Sequence, residues 1–192
     1  MSFKRILLLP FLLISIFVSA QTARFNGKVI NSQNEVVANA KQIAGAIEPR
    51  RIVGSVAYFA TDIVEPGVIR HTEGHRISLG EPDGSRSERT RAIAEALIGA
   101  GFRCPITTRI RQEIWVKLLG NVAFNPISAL TGGTLEELVR HPDTCALVRE
   151  LMVETEAVAG KLGIELPISI DQRIAGAEKV GAHKTSMLQD LE

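Results

Sequence analysis

The spacing of apolar residues changes character near the middle of the chain. From about residue 42 to residue 103, apolar residues mostly form short runs between glycine, proline and polar turns, which is typical of strands. Beyond that point they recur every three or four positions, which is typical of helices with a buried face. The pattern predicts strands and one helix across residues 42–103, and a helical bundle across residues 104–192.

The strand-like half contains alternating runs and turns. The apolar run 52–60 suits a strand buried on both faces. A turn at 65–67 precedes a short strand at 68–71, and a second turn at 73–74 precedes another strand at 76–79. Together these patterns predict a small set of antiparallel strands at the edge that closes a sheet.

The helical elements are marked by their caps. Ser85 or Ser87 can cap a helix that ends near Ala100, and Thr134 with Glu137 forms a capping-box pattern. Gly163 ends the long helix that begins at residue 142 or 143. The predicted helices of that half are 111–131, 134–140, 142 or 143 to 162, 168–180 and a last piece from 184.

The stretch 111–131 is apolar on most of its circumference, yet it carries a regular polar stripe. Polar residues recur every four positions, at Glu113, Lys117, Asn121 and Asn125. A buried ammonium and buried carboxamides are costly unless polar groups face them, and a polar small molecule is one candidate. The alternative is structural, with Lys117 reaching solvent and the asparagines bonding to neighbouring loops.

Pro126 follows Asn125 directly within this stretch. Proline lacks an N–H and clashes with the carbonyl four residues earlier, here that of Val122. We therefore expect the helix to kink or end at Pro126, which would free a carbonyl beside the two asparagines.

Composition excludes some classes of protein. The 192 residues are 45% hydrophobic, with 22 basic and 21 acidic side chains, so no basic stripe predicts nucleic-acid binding. Cys104 and Cys145 share no metal-ligand spacing, and we interpret them as ordinary buried thiols. His71 and His75 are predicted to be surface residues, and no metal site is expected.

The first 41 residues predict an exported leader. Lys4 and Arg5 precede the apolar run 6–18, and small residues follow before position 21, so residues 1–20 indicate a secretory signal peptide. The run is short for a membrane anchor. Residues 21–41 predict a short hairpin-like stub, whose sequence FNGKVINSQNEVVANA resembles the opening of carboxypeptidase regulatory-like domains.

Three motifs carry a more extensive resemblance. W-x-K-x-x-x-N-x-x-x-N-P at 115–126, K-T-S-M-L-Q-D-L at 184–191 and E-P-G-V-I-R at 65–70 occur in the order of the ketopantoate reductases, the 2-dehydropantoate 2-reductases. The resemblance spans about 46–192. It implies an α+β chain with the last strands of an incomplete Rossmann domain, followed by an all-helical domain similar to the C-terminal domains of 6-phosphogluconate dehydrogenases.

The resemblance also implies an activity and a set of roles. Family members reduce a 2-keto acid, 2-dehydropantoate, with NADPH in the cytoplasm, and a homodimer through the helical domain is left open. Lys117 matches the catalytic lysine that hydrogen-bonds the ketone oxygen. Asn121 and Asn125 match substrate-positioning asparagines, and Ser186 matches a substrate-contacting serine. On sequence alone, a plain helix-start hydroxyl is the commoner use of a serine at this place.

Two expected features of the family are missing from the sequence. No G-x-G-x-x-G turn for a dinucleotide is present, and the glutamate that follows the Q-D-L motif would lie beyond Glu192. We therefore expect a leader and stub joined to the middle of a reductase, truncated at its C-terminus and inactive as given. The alternative is a non-catalytic helical module for binding or assembly. The leader indicates export, which conflicts with the family's cytoplasmic location.

Overall fold

The computed structural model describes residues 48–192, so the predicted signal peptide at 1–20 and stub at 21–41 lie outside the described residues. The described residues fall into two compact units, 48–111 and 112–192. The first unit is built on a β-hairpin and the second is helical. This confirms the predicted α+β class.

The hairpin consists of β1 (Gly54–Glu65) and β2 (Val68–Gly80), paired antiparallel. The predicted turn between them is confirmed, and Gly67 adopts a positive φ of 87° there. Residues 54–57 of β1 are all buried, as expected for a strand covered on both faces, whereas the far end of the hairpin is exposed.

The predicted second turn, at residues 73–74, is wrong because β2 continues through it as one strand. Gly74 has a φ of 67°, and the strand register shifts opposite it between Tyr58 and Thr61. A glycine with positive φ serves a bulge as well as a turn, so the sequence signal is shared by both. A Cβ on Gly74 would lie 3.1 Å from the Tyr58 carbonyl carbon, so the strands approach closely here.

The connector after the first helix adds a short parallel segment beside β2. Ile77 donates its N–H to the Arg103 carbonyl (2.9 Å), and Leu79 donates to the Pro105 carbonyl (3.0 Å). Thr107 in turn donates to the Leu79 carbonyl (2.8 Å). The segment thus satisfies the backbone groups on the outer edge of β2.

Helix α1 (Glu88–Gly99) is anchored to the hairpin through a buried carboxylate. Ser87 caps the helix, accepting from the Thr90 N–H (3.2 Å), and its hydroxyl also donates to Glu81. The Arg89 guanidinium donates to Glu81 (Nε to Oε1, 2.7 Å) and to the Ile52 carbonyl (3.1 Å). Glu81 is 4% exposed, so Arg89 joins the loop, the helix start and the chain entering β1.

The second unit contains five helices within residues 112–192, with the boundary between units falling in the first turn of α2. Their bounds are α2 (Ile110–Thr131), α3 (Leu135–Arg140), α4 (Pro142–Lys161), α5 (Ile170–Val180) and α6 (Ser186–Gln189). The predicted capping box at Thr134 and Glu137 is confirmed, and a second one joins Ser169 to Gln172 at the start of α5.

The predicted helix over 111–131 is confirmed, because α2 continues through Pro126 to Thr131; of the kink or end expected at Pro126, the end is excluded. Proline removes only one helical hydrogen bond, and the residues around it are strongly buried. Phe124 is 2% and Ile127 4% exposed, and both belong to the main core of the second unit. Their burial outweighs the local preference of proline to break the helix.

The main core of the second unit joins four helices. It is formed by Leu119, Ala123, Phe124 and Ile127 of α2, Leu138 of α3, Val148 and Met152 of α4, and Ala177 of α5. A smaller cluster packs Trp115 of α2 against Ala159 and Ile164. No helix in the described part of the chain combines the length and apolarity needed to cross a membrane.

We predict that Glu81→Gln lowers the free energy of unfolding by about 1–3 kcal/mol, the usual cost of weakening a buried charged hydrogen-bond set. The Arg89 hydrogen bond is the largest influence that holds the pKa of Glu81 below its usual 4.5. The wild-type advantage should therefore be full above pH 4.5 and disappear as pH falls through the lower folded pKa. Urea unfolding of the full chain between pH 3 and 7 measures it.

Glu88→Gln is the matched control for this carboxylate. Glu88 pairs with Arg91 at 2.6 Å on the same helix, but their side chains are 83% and 59% exposed. Its loss should change stability by less than about 0.5 kcal/mol. Equal effects of the two substitutions would contradict an anchoring role for Glu81.

Candidate functional site

Three of the four candidate residues lie together on α2. Between positions 112 and 129 every residue of this helix is buried or half-buried, which confirms the predicted enclosure on most of its circumference. Lys117, Asn121 and Asn125 are each half-buried and follow one another at intervals of about one turn. The helix thus presents one cation and two carboxamides along a single face.

The Lys117 ammonium is in an environment that disfavours its charge. Burial lowers the pKa of Lys117 from its usual 10.5 to about 8. Near neutral pH the group still carries a proton, but it releases that proton more readily than an exposed lysine does. A partly desolvated ammonium of this kind can donate a strong hydrogen bond to an oxygen that gains negative charge.

Ser186 lies on a separate element, as the first residue of α6, and is half-buried. The hydroxyl that caps this helix belongs to Thr185, which accepts from the Leu188 N–H (3.3 Å). The segment before α6 is held against the start of α3, where Leu135 donates to the His183 carbonyl (3.0 Å). Capping α6 is therefore the role of Thr185 rather than of Ser186.

Arg173 is a candidate that the sequence pattern did not single out. It lies on α5, and its guanidinium carbon is 6.0 Å from the centre of the Phe124 ring on α2. The same guanidinium rests against Gly120, where an added Cβ would lie 2.8 Å from Arg173 Cζ. An arginine on an amphipathic helix gives no sequence signal of such a contact, because the contact depends on how α5 packs on α2.

Known proteins are similar to this chain in sequence and in fold. A sequence model of the family described as ketopantoate reductase PanE/ApbA, C terminal, matches residues 109–192. The 2-dehydropantoate 2-reductase of Mesorhizobium japonicum is 56% identical over 146 residues, covering 76% of this chain and 45% of that protein. The enzyme of the same name from Archaeoglobus fulgidus is 31% identical over 176 residues, covering 91% and 58% respectively.

A solved structure agrees with these matches. The 2-dehydropantoate 2-reductase of Methylococcus capsulatus superposes with a TM-score of 0.68 at 32% identity, over 78% of this chain and 48% of that one. The family model covers helices α2 to α6, so the similarity includes the whole helical unit. The chain belongs to the ketopantoate reductase family, and it spans about half the length of the curated relatives it matches.

We predict that Lys117→Met does not lower, and at pH 7 raises, the stability of the full chain by on the order of 2 kcal/mol. The folded lysine has a pKa of about 8, against 10.5 when unfolded, so its buried charge opposes folding below pH 8. Wild-type stability should rise between pH 8 and 10.5, where the unfolded chain binds more protons, and the variant should lack this rise. Urea midpoints across this range measure both effects.

Lys179→Met is the control, because Lys179 is exposed on α5. It should leave the dependence of stability on pH unchanged. Parallel curves for Lys117→Met and the wild type between pH 8 and 10.5 would show that Lys117 is well solvated in the folded chain.

Proposed function

We propose that this chain supplies the substrate-binding helices of a ketopantoate reductase-like oxidoreductase that reduces 2-dehydropantoate to pantoate. The observation that carries the proposal is a lysine with a lowered pKa, about 8, on a helix enclosed along residues 112–129. Perturbed groups of this kind concentrate at catalytic sites. The names of the relatives support the choice of a 2-keto acid as substrate.

Lys117 has the chemistry that ketone reduction requires. Addition of hydride to the ketone carbon leaves negative charge on the oxygen. The Lys117 ammonium donates a hydrogen bond to that oxygen, stabilises the alkoxide and can pass its proton to it. A pKa near 8 makes this transfer easier than it is from an ordinary lysine.

The neighbouring amides suit substrate positioning. Asn121 and Asn125 each offer both a donor and an acceptor, which can bind the hydroxyl and carboxylate groups of a 2-keto acid and orient Lys117. Ser186 supplies a further hydroxyl for substrate contact, since Thr185 performs the capping. These four residues together are the proposed substrate site of this chain.

The reductant implied by the family, NADPH, would supply the hydride, but the residues of this chain do not fit its binding. The sequence lacks the glycine-rich turn that places a pyrophosphate at a helix start. The closely spaced Gly99 and Gly101 end α1 and lead into the connector instead. We therefore assign no residue of this chain to the cofactor.

The first described unit has features of a cofactor domain. Its helix α1 and the parallel pairing of its connector with β2 are the kind of arrangement found in a dinucleotide-binding sheet. We assign residues 42–103 to that domain and residues 104–192 to the helical substrate domain. The competing hypothesis, a non-catalytic helical module, gives no reason for an ammonium with a lowered pKa on the enclosed helix.

We predict that Lys117→Ala lowers kcat by roughly 10²- to 10³-fold, the scale for losing one preorganised electrostatic donor. The test uses a hybrid enzyme, in which the matching segment of the Mesorhizobium japonicum relative is replaced by that of this chain. NADPH oxidation with 2-dehydropantoate as substrate is measured. Lys161→Ala, at an exposed lysine of α4, is the control and should retain wild-type turnover.

The pH profile of the same hybrid gives a second readout. The protonated form of Lys117 is the active one, so kcat/KM should fall as pH rises through about 8. If the hybrid enzyme with Lys117→Ala keeps wild-type turnover, the role of Lys117 is structural and not catalytic. A hybrid that folds and binds NADPH but does not reduce 2-dehydropantoate would instead favour the non-catalytic module.

We predict that the full chain by itself shows no saturable NADPH binding, because its sequence lacks the phosphate-binding turn. Fluorescence titration of the chain with NADPH measures this, and the hybrid enzyme is the positive control. A saturable isotherm for the chain alone would overturn the assignment of no cofactor residue.

A further inference from the structure

The turn that leads into α6 is fixed by hydrogen bonds from two directions. The His183 carbonyl accepts from the Leu135 N–H at the start of α3 (3.0 Å), which ties the turn to the rest of the helical unit. The Lys184 carbonyl accepts from the Gln189 side chain at the other end of α6 (Nε2, 3.0 Å). Ser186 follows two residues later, so its backbone continues from a turn whose carbonyl groups already have partners.

The start of α3 is itself tied to α2. The Ser128 hydroxyl, in a fully buried side chain of α2, donates to the Gly133 carbonyl (2.7 Å). Gly133 directly precedes Thr134, which caps α3. Hydrogen bonds and short chain segments therefore lead from α2, through the start of α3, to the turn before Ser186.

Thr185 makes the last hydrogen bond of this series. It is 5% exposed, and its hydroxyl accepts from the Leu188 N–H (3.3 Å), so that α6 begins at Ser186. The backbone of Thr185 is extended, with φ −66° and ψ 156°, as a cap requires. Because the cap fixes where the helix begins, it also fixes the direction in which the Ser186 side chain leaves the backbone.

We infer that Thr185 is a positioning residue, which acts through Ser186 by fixing the direction from which the Ser186 hydroxyl reaches the 2-keto acid. The inference rests on the proposed function, in which Ser186 contacts the substrate. It assigns different roles to two adjacent hydroxyl groups. The buried hydroxyl of Thr185 binds the helix backbone, and the hydroxyl of the half-buried Ser186 serves the substrate.

The test measures KM and kcat of the hybrid enzyme for 2-dehydropantoate. Thr185→Val keeps the shape of the side chain and removes its hydroxyl, so KM should rise roughly 3- to 10-fold, the scale for losing one neutral hydrogen bond. Its kcat should stay near that of the wild type, because a contact away from the ketone stabilises the bound substrate and the transition state alike. Thr185→Ser keeps a capping hydroxyl and should restore the wild-type KM.

A double-mutant cycle shows whether Thr185 acts through Ser186. Ser186→Ala should raise KM by a similar factor, and adding Thr185→Val to it should raise KM no further. Ser169→Ala is the matched control, since Ser169 caps α5 in the same way by accepting from the Gln172 N–H (3.2 Å). It should lower the thermal midpoint of the full chain, as Thr185→Val does, and leave KM unchanged.

The results separate the inference from the proposed function. A rise in KM for Thr185→Val that Thr185→Ser restores, and that is absent in the Ser186→Ala background, supports a positioning role. Additive effects, no restoration by Thr185→Ser, or an equal rise in KM for Ser169→Ala would overturn it and leave Thr185 as a capping residue alone.

An unchanged KM in Thr185→Val or in Ser186→Ala would also overturn the inference, while the proposed function stands if Lys117→Ala lowers kcat. If the unsubstituted hybrid binds NADPH but does not reduce the acid, the proposed function itself fails. That result is seen before any Thr185 variant is made.

Discussion

Helix α2 must bury nearly its whole circumference while carrying a polar stripe, and this constraint organises the helical unit. Core residues on α3, α4 and α5 pack around Leu119, Phe124 and Ile127, which leaves the stripe half-buried rather than solvated. The same burial lowers the pKa of Lys117 to about 8. The packing that stabilises the fold and the electrostatics that support the proposed role of Lys117 therefore have one cause.

Glu81 and Lys117, two buried ionisable groups among the described residues, differ in whether the fold favours their charged form. Glu81 is held by Arg89 and Ser87, and its pKa is lowered, so the folded state favours its charged form. For Lys117, desolvation lowers the pKa, so the folded state disfavours its charged form. The first is a charge that stabilises the fold, and the second is a charge that the fold destabilises and a ligand could compensate.

The features that could be predicted from sequence are those that depend on interactions between residues close together in the chain. The cap at Thr134 was correctly predicted, and the structure selects Ser87 from the predicted pair Ser85 or Ser87. Both could be recognised because a side-chain cap involves residues only three positions apart. The predicted turn at 73–74 was wrong, and of the kink or end predicted at Pro126 the end did not occur. In each case a local backbone preference is compatible with two structures, and pairing with β1 or burial of Phe124 and Ile127 selects between them.

The sequence by itself determined the α+β order of elements, the polar stripe of α2 and the family, since these depend on periodicity and on motifs within short stretches. Only the tertiary structure decided that Lys117 is desolvated, that Thr185 rather than Ser186 caps α6, and that Arg173 rests on Gly120. Burial and contacts between helices join residues far apart in the chain. The positions of these residues in the sequence therefore do not indicate how far apart they lie in the fold.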